Sequence, residues 1–180
     1  SISDKMVIRH PHVFENDDRP SISSQNELWE SIKERERVEK GEIRTLDGIA
    51  KGLPPMLRAL KLQKRAARVG FDWPKVAQVL DKLQEEAAEL TVELERPTKD
   101  QDRINEEVGD LLFVAINLAR KAGVNPETAL QACNIKFERR FKYIEQIIKS
   151  KGKNLNNASL EEMESYWQDA KALDPKSRSD

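Results

Sequence analysis

Residues 104–118 read Ile104-Asn105-Glu106-Glu107-Val108-Gly109-Asp110-Leu111-Leu112-Phe113-Val114-Ala115-Ile116-Asn117-Leu118. From Leu111 to Ile116 every side chain is apolar. At about 100° per residue, a helix here is apolar nearly all round, which places it at the centre of a helical fold. With Leu111 at the middle of the buried arc, Ile104, Val108, Val114, Ala115 and Leu118 share it. Glu107 falls inside the same arc, and Asp110 and Asn117 fall at its edge. Taking an unpaired carboxylate out of water is costly, so acids on the apolar side of a central helix need a compensating cation.

The segment upstream repeats the pattern. With Leu83 as centre, Val76, Val79, Leu80, Ala87, Leu90 and Leu94 form an apolar arc that includes Glu86. Glu89 borders it, Glu93 lies between the two, and Glu85 faces away. Residues three apart are neighbours on a helix, so Glu86 and Glu89 form one acid pair and Glu107 and Asp110 a second. Downstream, Leu130, Cys133, Phe137, Phe141, Ile144 and Ile148 make an apolar stripe. Lys136 and Arg140 flank it one turn apart, and Arg139 points away.

Working outward, the chain reads as all-α. Of 180 residues only 7 are Gly and 8 Pro, below average usage, and no period-two strand pattern is present. Six helices are expected, at about 25–40, 54–69, 74–95, 99–122, 125–150 and 159–172, by the usual start and stop signals. Pro74 is read as a first helical residue, Asn125-Pro126 as cap and first turn, and Ser159 with Glu162 as a capping box. Gly70, Gly123 and Gly152 are read as stops. Residues 1–24 are polar and linker-like. The missing initiator methionine suggests a fragment or processed product.

Composition excludes several function classes. Lys+Arg 31 against Asp+Glu 32 leaves a net charge of -1, without the basic excess of a nucleic-acid binder. No apolar run approaches the ~18 residues of a membrane helix. The single cysteine, Cys133, fits a reducing, cytoplasmic setting and is read as a core residue. Trp29 and Trp167 read as packing anchors, and His10 and His12 as structural. Trp73, in a turn, could stack on a base or pack in the core.

In a chain with 35% charged residues, a Glu-Glu-x-x-Glu run alone reads as a solvated face. The placement of Glu86 and Glu107 on apolar arcs favours a site. Helix-borne oxygen ligands suit a hard divalent ion, Mg2+ or Mn2+, and no His or Cys lies at matching positions for zinc. Lys136 and Arg140, which could equally snorkel along the apolar stripe, could neutralise phosphate oxygens. Acids holding a metal beside flanking bases point to metal-assisted phosphoryl or nucleotidyl chemistry, without a Gly-rich phosphate loop.

Glu85-Glu86-Ala87-Ala88-Glu89, followed after 17 residues by Glu107-Val108-Gly109-Asp110, resembles the signature of the MazG-type nucleoside triphosphate pyrophosphohydrolases. So do residues 60–73, Gly109 to Phe113 with Asn117 to Arg120, Lys136 to Phe141, and Arg9 to Phe14. The resemblance covers essentially the whole chain and implies a MazG-like helical bundle that dimerises into a larger one. Residues 1–24 would be the tail of a preceding domain plus linker, and 25–180 the pyrophosphohydrolase domain. It implies hydrolysis of NTP or dNTP between the α and β phosphates. Glu86, Glu89, Glu107 and Asp110 would hold Mg2+, with Mn2+ as a substitute. Lys136, Arg140 and Asn117 would contact substrate, and Arg65 and Trp73 would bear on base preference. Glu89, Glu93 and Glu106 are candidates for the proton acceptor. A narrower dUTPase-, dCTPase- or phosphoribosyl-ATP-type pyrophosphatase is the neighbouring reading, and a non-catalytic helical dimerisation module the distant one.

Overall fold

The computed structural model describes residues 44–174, which hold five α-helices, one short 3-10 turn and no strand. The expected first helix, the boundary near residue 24, Trp29 and the two histidines lie outside the described residues. The helices are α1 (Pro55–Arg68), α2 (Val76–Glu95), α3 (Gln101–Lys121), α4 (Pro126–Ser150) and α5 (Leu160–Ala172), with the turn Leu155–Asn157 before α5. The chain divides into two compact units, Ser1–Pro74 and Lys75–Asp180. No described helix is long and apolar enough to cross a membrane.

In the first unit, α1 opens behind Pro54 with proline in its first turn and buries Ala59, Leu60 and Gln63. Pro55 lacks an amide hydrogen that the first turn would leave unbonded, so it is tolerated there.

The second unit is built around the α2–α3 pair, its most extensive packing. Pro74 does not begin α2 as expected. The helix starts two residues on, behind Lys75, whose backbone N–H donates to Gln78 Oε1 at 3.1 Å. α3 starts where Asp100 Oδ1 accepts from the backbone N–H groups of Asp102 (3.0 Å) and Arg103 (3.3 Å). These are the orphan donors of a first helical turn, so a short acidic side chain sets the boundary. α4 has the expected Asn125 cap and Pro126 first turn. At the end of α3, Gly123 adopts φ +71°, the N–H of Val124 reaches Ala119 O at 2.8 Å, and that of Gly123 reaches Arg120 O at 3.1 Å. This closure needs the left-handed region, which glycine enters without a Cβ clash. α5 has the expected Ser159 cap, Oγ accepting from Glu162 N–H at 3.2 Å. The Glu162 carboxylate turns instead to Lys153 Nζ at 3.0 Å and Tyr166 Oη at 3.0 Å.

The short 96–100 connection folds α3 back along α2. Arg103 reaches Glu93 beside the connection, while Glu107 meets Glu86 two turns further on, which is antiparallel pairing. The buried positions of α2 are Val79, Glu86 and Glu93, spaced by seven. Those of α3 are Ile104, Glu107, Val114 and Asn117. The core therefore differs from the Leu83- and Leu111-centred arcs. Val76, Leu80, Leu94 and Val108 are exposed, because one neighbouring helix covers only a narrow stripe and that stripe contains the acids. On α4 only the C-terminal half of the apolar stripe, Ile144 and Ile148, is buried. Leu130 and Phe137 are exposed, and so is Cys133, which corrects its reading as a core residue.

Candidate metal centre

Two buried glutamates of the α2–α3 seam, Glu86 and Glu107, have a cation one turn earlier on their own helix. Lys82 Nζ lies 2.7 Å from Glu86 Oε1, and Arg103 Nη2 lies 3.3 Å from Glu107 Oε1. Antiparallel pairing brings the two helices' acids together. One carboxylate oxygen from each of Glu86, Glu89 and Glu107 lies within 4.8 Å of the others. Glu86 and Glu107 are about 95% buried, at 5% and 6% exposure, whereas Glu89 is exposed. The cluster thus has a buried floor and an open side.

Its electrostatics follow from crowding. Burial first, then the charge of Glu89, and further Glu86 and Asp110, push the Glu107 carboxyl above its ordinary range against the opposing pull of Arg103. Hydrogen bonding to Glu86 and then Glu85 holds the Lys82 ammonium well above the usual lysine range. Carboxylates forced together and partly desolvated are relieved by a small multivalent cation, because each added oxygen contact offsets both repulsion and lost hydration. Three such oxygens with solvent on one side match the oxygen-rich, water-retaining coordination of Mg2+ or Mn2+. The residues present therefore fit a divalent ion.

Asp110 lies one turn beyond Glu107 on α3. It is exposed and near enough to act on Glu107 electrostatically, but it stands outside the 4.8 Å group. Asn117 is buried and its Oδ1 accepts from Arg120 Nε at 2.8 Å. Lys136 is exposed on α4 and makes no ion pair among the described residues. Arg140 faces the C-terminal helix: Nε and Nη2 donate to Asp174 Oδ2 at 3.1 and 2.5 Å, and its guanidinium carbon lies 5.1 Å from the Trp167 ring centroid. Trp167 is also 5.3 Å from Phe137 in a tilted pair, which agrees with a packing role. Arg65 and Trp73 belong to the first unit. Arg65 Nη1 donates to the carbonyls of Thr45 (3.0 Å) and Asp47 (3.2 Å). Trp73 lines a cavity of about 300 Å³ with Gly70, Phe71, Asp72 and Pro74.

The sequence reading did not single out Lys82 or Arg103. Both were within reach of it, because each stands four residues before a buried glutamate, where opposite charges meet on a helix. Arg103 does more than that spacing implies. It also pairs with Glu106 at 2.8 Å and approaches Glu93 of α2 at 3.8 Å, so it ties the two helices together beside the acid cluster. Glu93 is further held by Arg96 at 3.0 Å.

An all-α scaffold whose central antiparallel pair presents clustered carboxylates defines a class: helical proteins with an acidic cluster on facing helices. Residues 75–144 match the MazG nucleotide pyrophosphohydrolase domain family. The chain is 45% identical over 171 residues to the nucleoside triphosphate pyrophosphohydrolase of Escherichia coli K12, covering 95% of this chain and 65% of that protein. It is 37% identical over 179 residues to the nucleoside triphosphate pyrophosphohydrolase/pyrophosphatase MazG of Thermotoga maritima, covering 97% and 64%. It is 41% identical over 179 residues to the uncharacterized protein YabN of Bacillus subtilis, covering 98% and 36%. The chain thus spans somewhat less than two thirds of the length of the first two relatives and about a third of the last.

Proposed function

We propose that this protein is a divalent-metal-dependent pyrophosphohydrolase that cleaves nucleoside triphosphates between the α and β phosphates, releasing a nucleoside monophosphate and pyrophosphate. The observation that carries it is the convergence of Glu86, Glu89 and Glu107 across the α2–α3 seam. The MazG match over the same segment and the names of the relatives support it. When bound, Mg2+ or Mn2+ supplies charge neutralisation and a lower pKa for the attacking water. Glu86, Glu89 and Glu107 would hold the ion, with Asp110 on the next turn of α3 as a further carboxylate for it.

Water attacks the α phosphorus. A new P–O bond forms to the water oxygen, the bridging P–O bond to the β phosphate breaks, and the water proton passes to a carboxylate. Of the three candidates for that proton, Glu93 and Glu106 are drawn to Arg103, so the acceptor is Glu89, exposed at the cluster's edge, through the carboxylate oxygen it would not give to the ion. Lys136, Arg140 and Asn117 contact the triphosphate. The exposed Leu112, Phe113, Leu130, Ile135 and Phe137 support assembly into a homodimer, since a lone protomer rarely leaves so many large apolar side chains in water. A cytoplasmic setting keeps the exposed Cys133 reduced.

Hydrolysis in 18O-labelled water tests the reaction. Label is expected in the monophosphate. Label in pyrophosphate, or turnover that persists in excess EDTA, sinks the proposal. Titration with Mn2+ that gives no heat would favour a non-catalytic helical module instead.

A further inference from the structure

Arg140 is the most constrained cation on α4, and what constrains it lies on α5 and its C-terminal end. Asp174 follows the last turn of α5, anchored there by its backbone N–H on Lys171 O at 3.3 Å. Its Oδ2 accepts from Nε and Nη2 of Arg140, and its Oδ1 accepts from Nη2 of Arg139. Trp167, seven residues earlier and so on the same face of α5, lies against the Arg140 guanidinium at 5.1 Å. The Arg140 side chain is only 11% exposed and Asp174 19%, whereas Arg139 is half exposed. The Nη1 donors of Arg140 have no hydrogen-bond partner among the described residues. An arginine held by a carboxylate along its Nε–Nη2 edge and by an aromatic ring beside its plane keeps a free donor edge in a set direction.

We infer that Asp174 is a positioning residue for the substrate: it aims the free Nη1 edge of Arg140 at a triphosphate oxygen, acting through Arg140 rather than touching the nucleotide. This rests on the reading of Arg140 as a triphosphate contact. A free arginine side chain loses its rotamer freedom each time it grips a phosphate. Asp174 and Trp167 remove that freedom before substrate arrives, so part of the ordering cost is already met by the fold. The effect belongs to binding, not to the chemical step, because the cation is equally well aimed in ground and transition states. The opposite role, a carboxylate that competes with phosphate for Arg140, predicts the opposite sign.

The test measures pyrophosphate release by the full chain with Mg2+ and a nucleoside triphosphate for Asp174→Asn, Asp174→Glu, Arg140→Ala and the Asp174→Asn/Arg140→Ala pair, with thermal melts of each. Asp174→Asn is expected to raise KM roughly threefold to tenfold with kcat within about twofold, the size expected for one side chain that must be ordered on binding. Asp174→Glu, which keeps the charge and the fold, should recover part of that loss. In the Arg140→Ala background, Asp174→Asn should add nothing to KM.

An unchanged or lowered KM in Asp174→Asn, with Arg140→Ala raising it, overturns the positioning role. So does a KM effect that persists in the Arg140→Ala background. If Asp174→Asn melts too low to assay, Asp174→Glu decides, with wild-type KM as the overturning result. Failure of the underlying reading looks different: Arg140→Ala leaves KM unchanged, or the wild-type chain releases no pyrophosphate, and both proposals then fall.

Discussion

Glu86 and Glu107 are buried at 5% and 6% exposure where α2 and α3 face each other. Each has a cation four residues away, yet burial and neighbouring acids still push the Glu107 carboxyl up, so its pairing with Arg103 leaves it incompletely compensated. Replacing either glutamate by glutamine keeps shape and removes one charge. Each single change should cost at least about 100-fold in pyrophosphate release, exceeding what loss of a supporting residue around a metal costs. The pair should be little worse than either alone, because one missing ligand already empties the site. Steady-state assays across Mg2+ concentrations check this, and multiplicative losses would show that the two residues act separately. Glu86 and Glu107 were legible in the sequence as acids on apolar arcs. Lys82 and Arg103 were overlooked because a cation at i−4 from an acid is common on solvated helices, and only burial of the acid gives the spacing meaning.

The start of α3 rests on a single carboxylate. Asp100 satisfies two orphan amides of the turn that carries Arg103. Asp100→Ala should destabilise the protein by about 1 kcal/mol. A chemical denaturation series reads this as a lower midpoint with an unchanged slope, and an unchanged midpoint would mean that the cap contributes nothing. The attachment of α5 to α4 carries a pH dependence. Arg140 and then Arg139 hold the Asp174 carboxyl below its ordinary range, and Lys153 and then Tyr166 do the same for Glu162. A depressed folded-state value means that the stabilisation is fully present above the ordinary carboxylate pKa. It is lost as pH falls through the depressed value. Thermal stability should therefore fall in acid, and less steeply in Asp174→Asn. A wild-type slope in that variant would refute the contribution. Helix bounds were legible to within about two residues, and the misplaced start of α2 shows why. Proline marks a boundary region, but the hydrogen bond at Lys75 chooses the residue.

At the scale of the whole molecule, the described residues leave large apolar side chains exposed on several helices. Ile135 and Leu112 are each 59% exposed on separate helices. The chain should sediment as a dimer, and Ile135→Asp should shift it towards monomer. A monomeric wild type would remove the dimer from the proposed function. The apolar pattern had placed Leu80, Leu94, Leu130 and Cys133 in a core, and the protomer exposes all four. Periodicity reports which face shuns water without naming the surface that covers it, and here part of that face has no cover within the described residues. The sequence by itself determined the helical class, most helix ends and the acid-bearing seam. Those follow from local rules: spacing of apolar residues, capping side chains, and glycine at the stops. The tertiary structure alone decided which acids converge. Glu89 joins Glu86 and Glu107, Asp110 stays on the next turn, Arg103 bridges two helices, and Asp174 reaches back to Arg140. Those outcomes depend on the register of one helix against another, which the periodicity of a single helix does not contain.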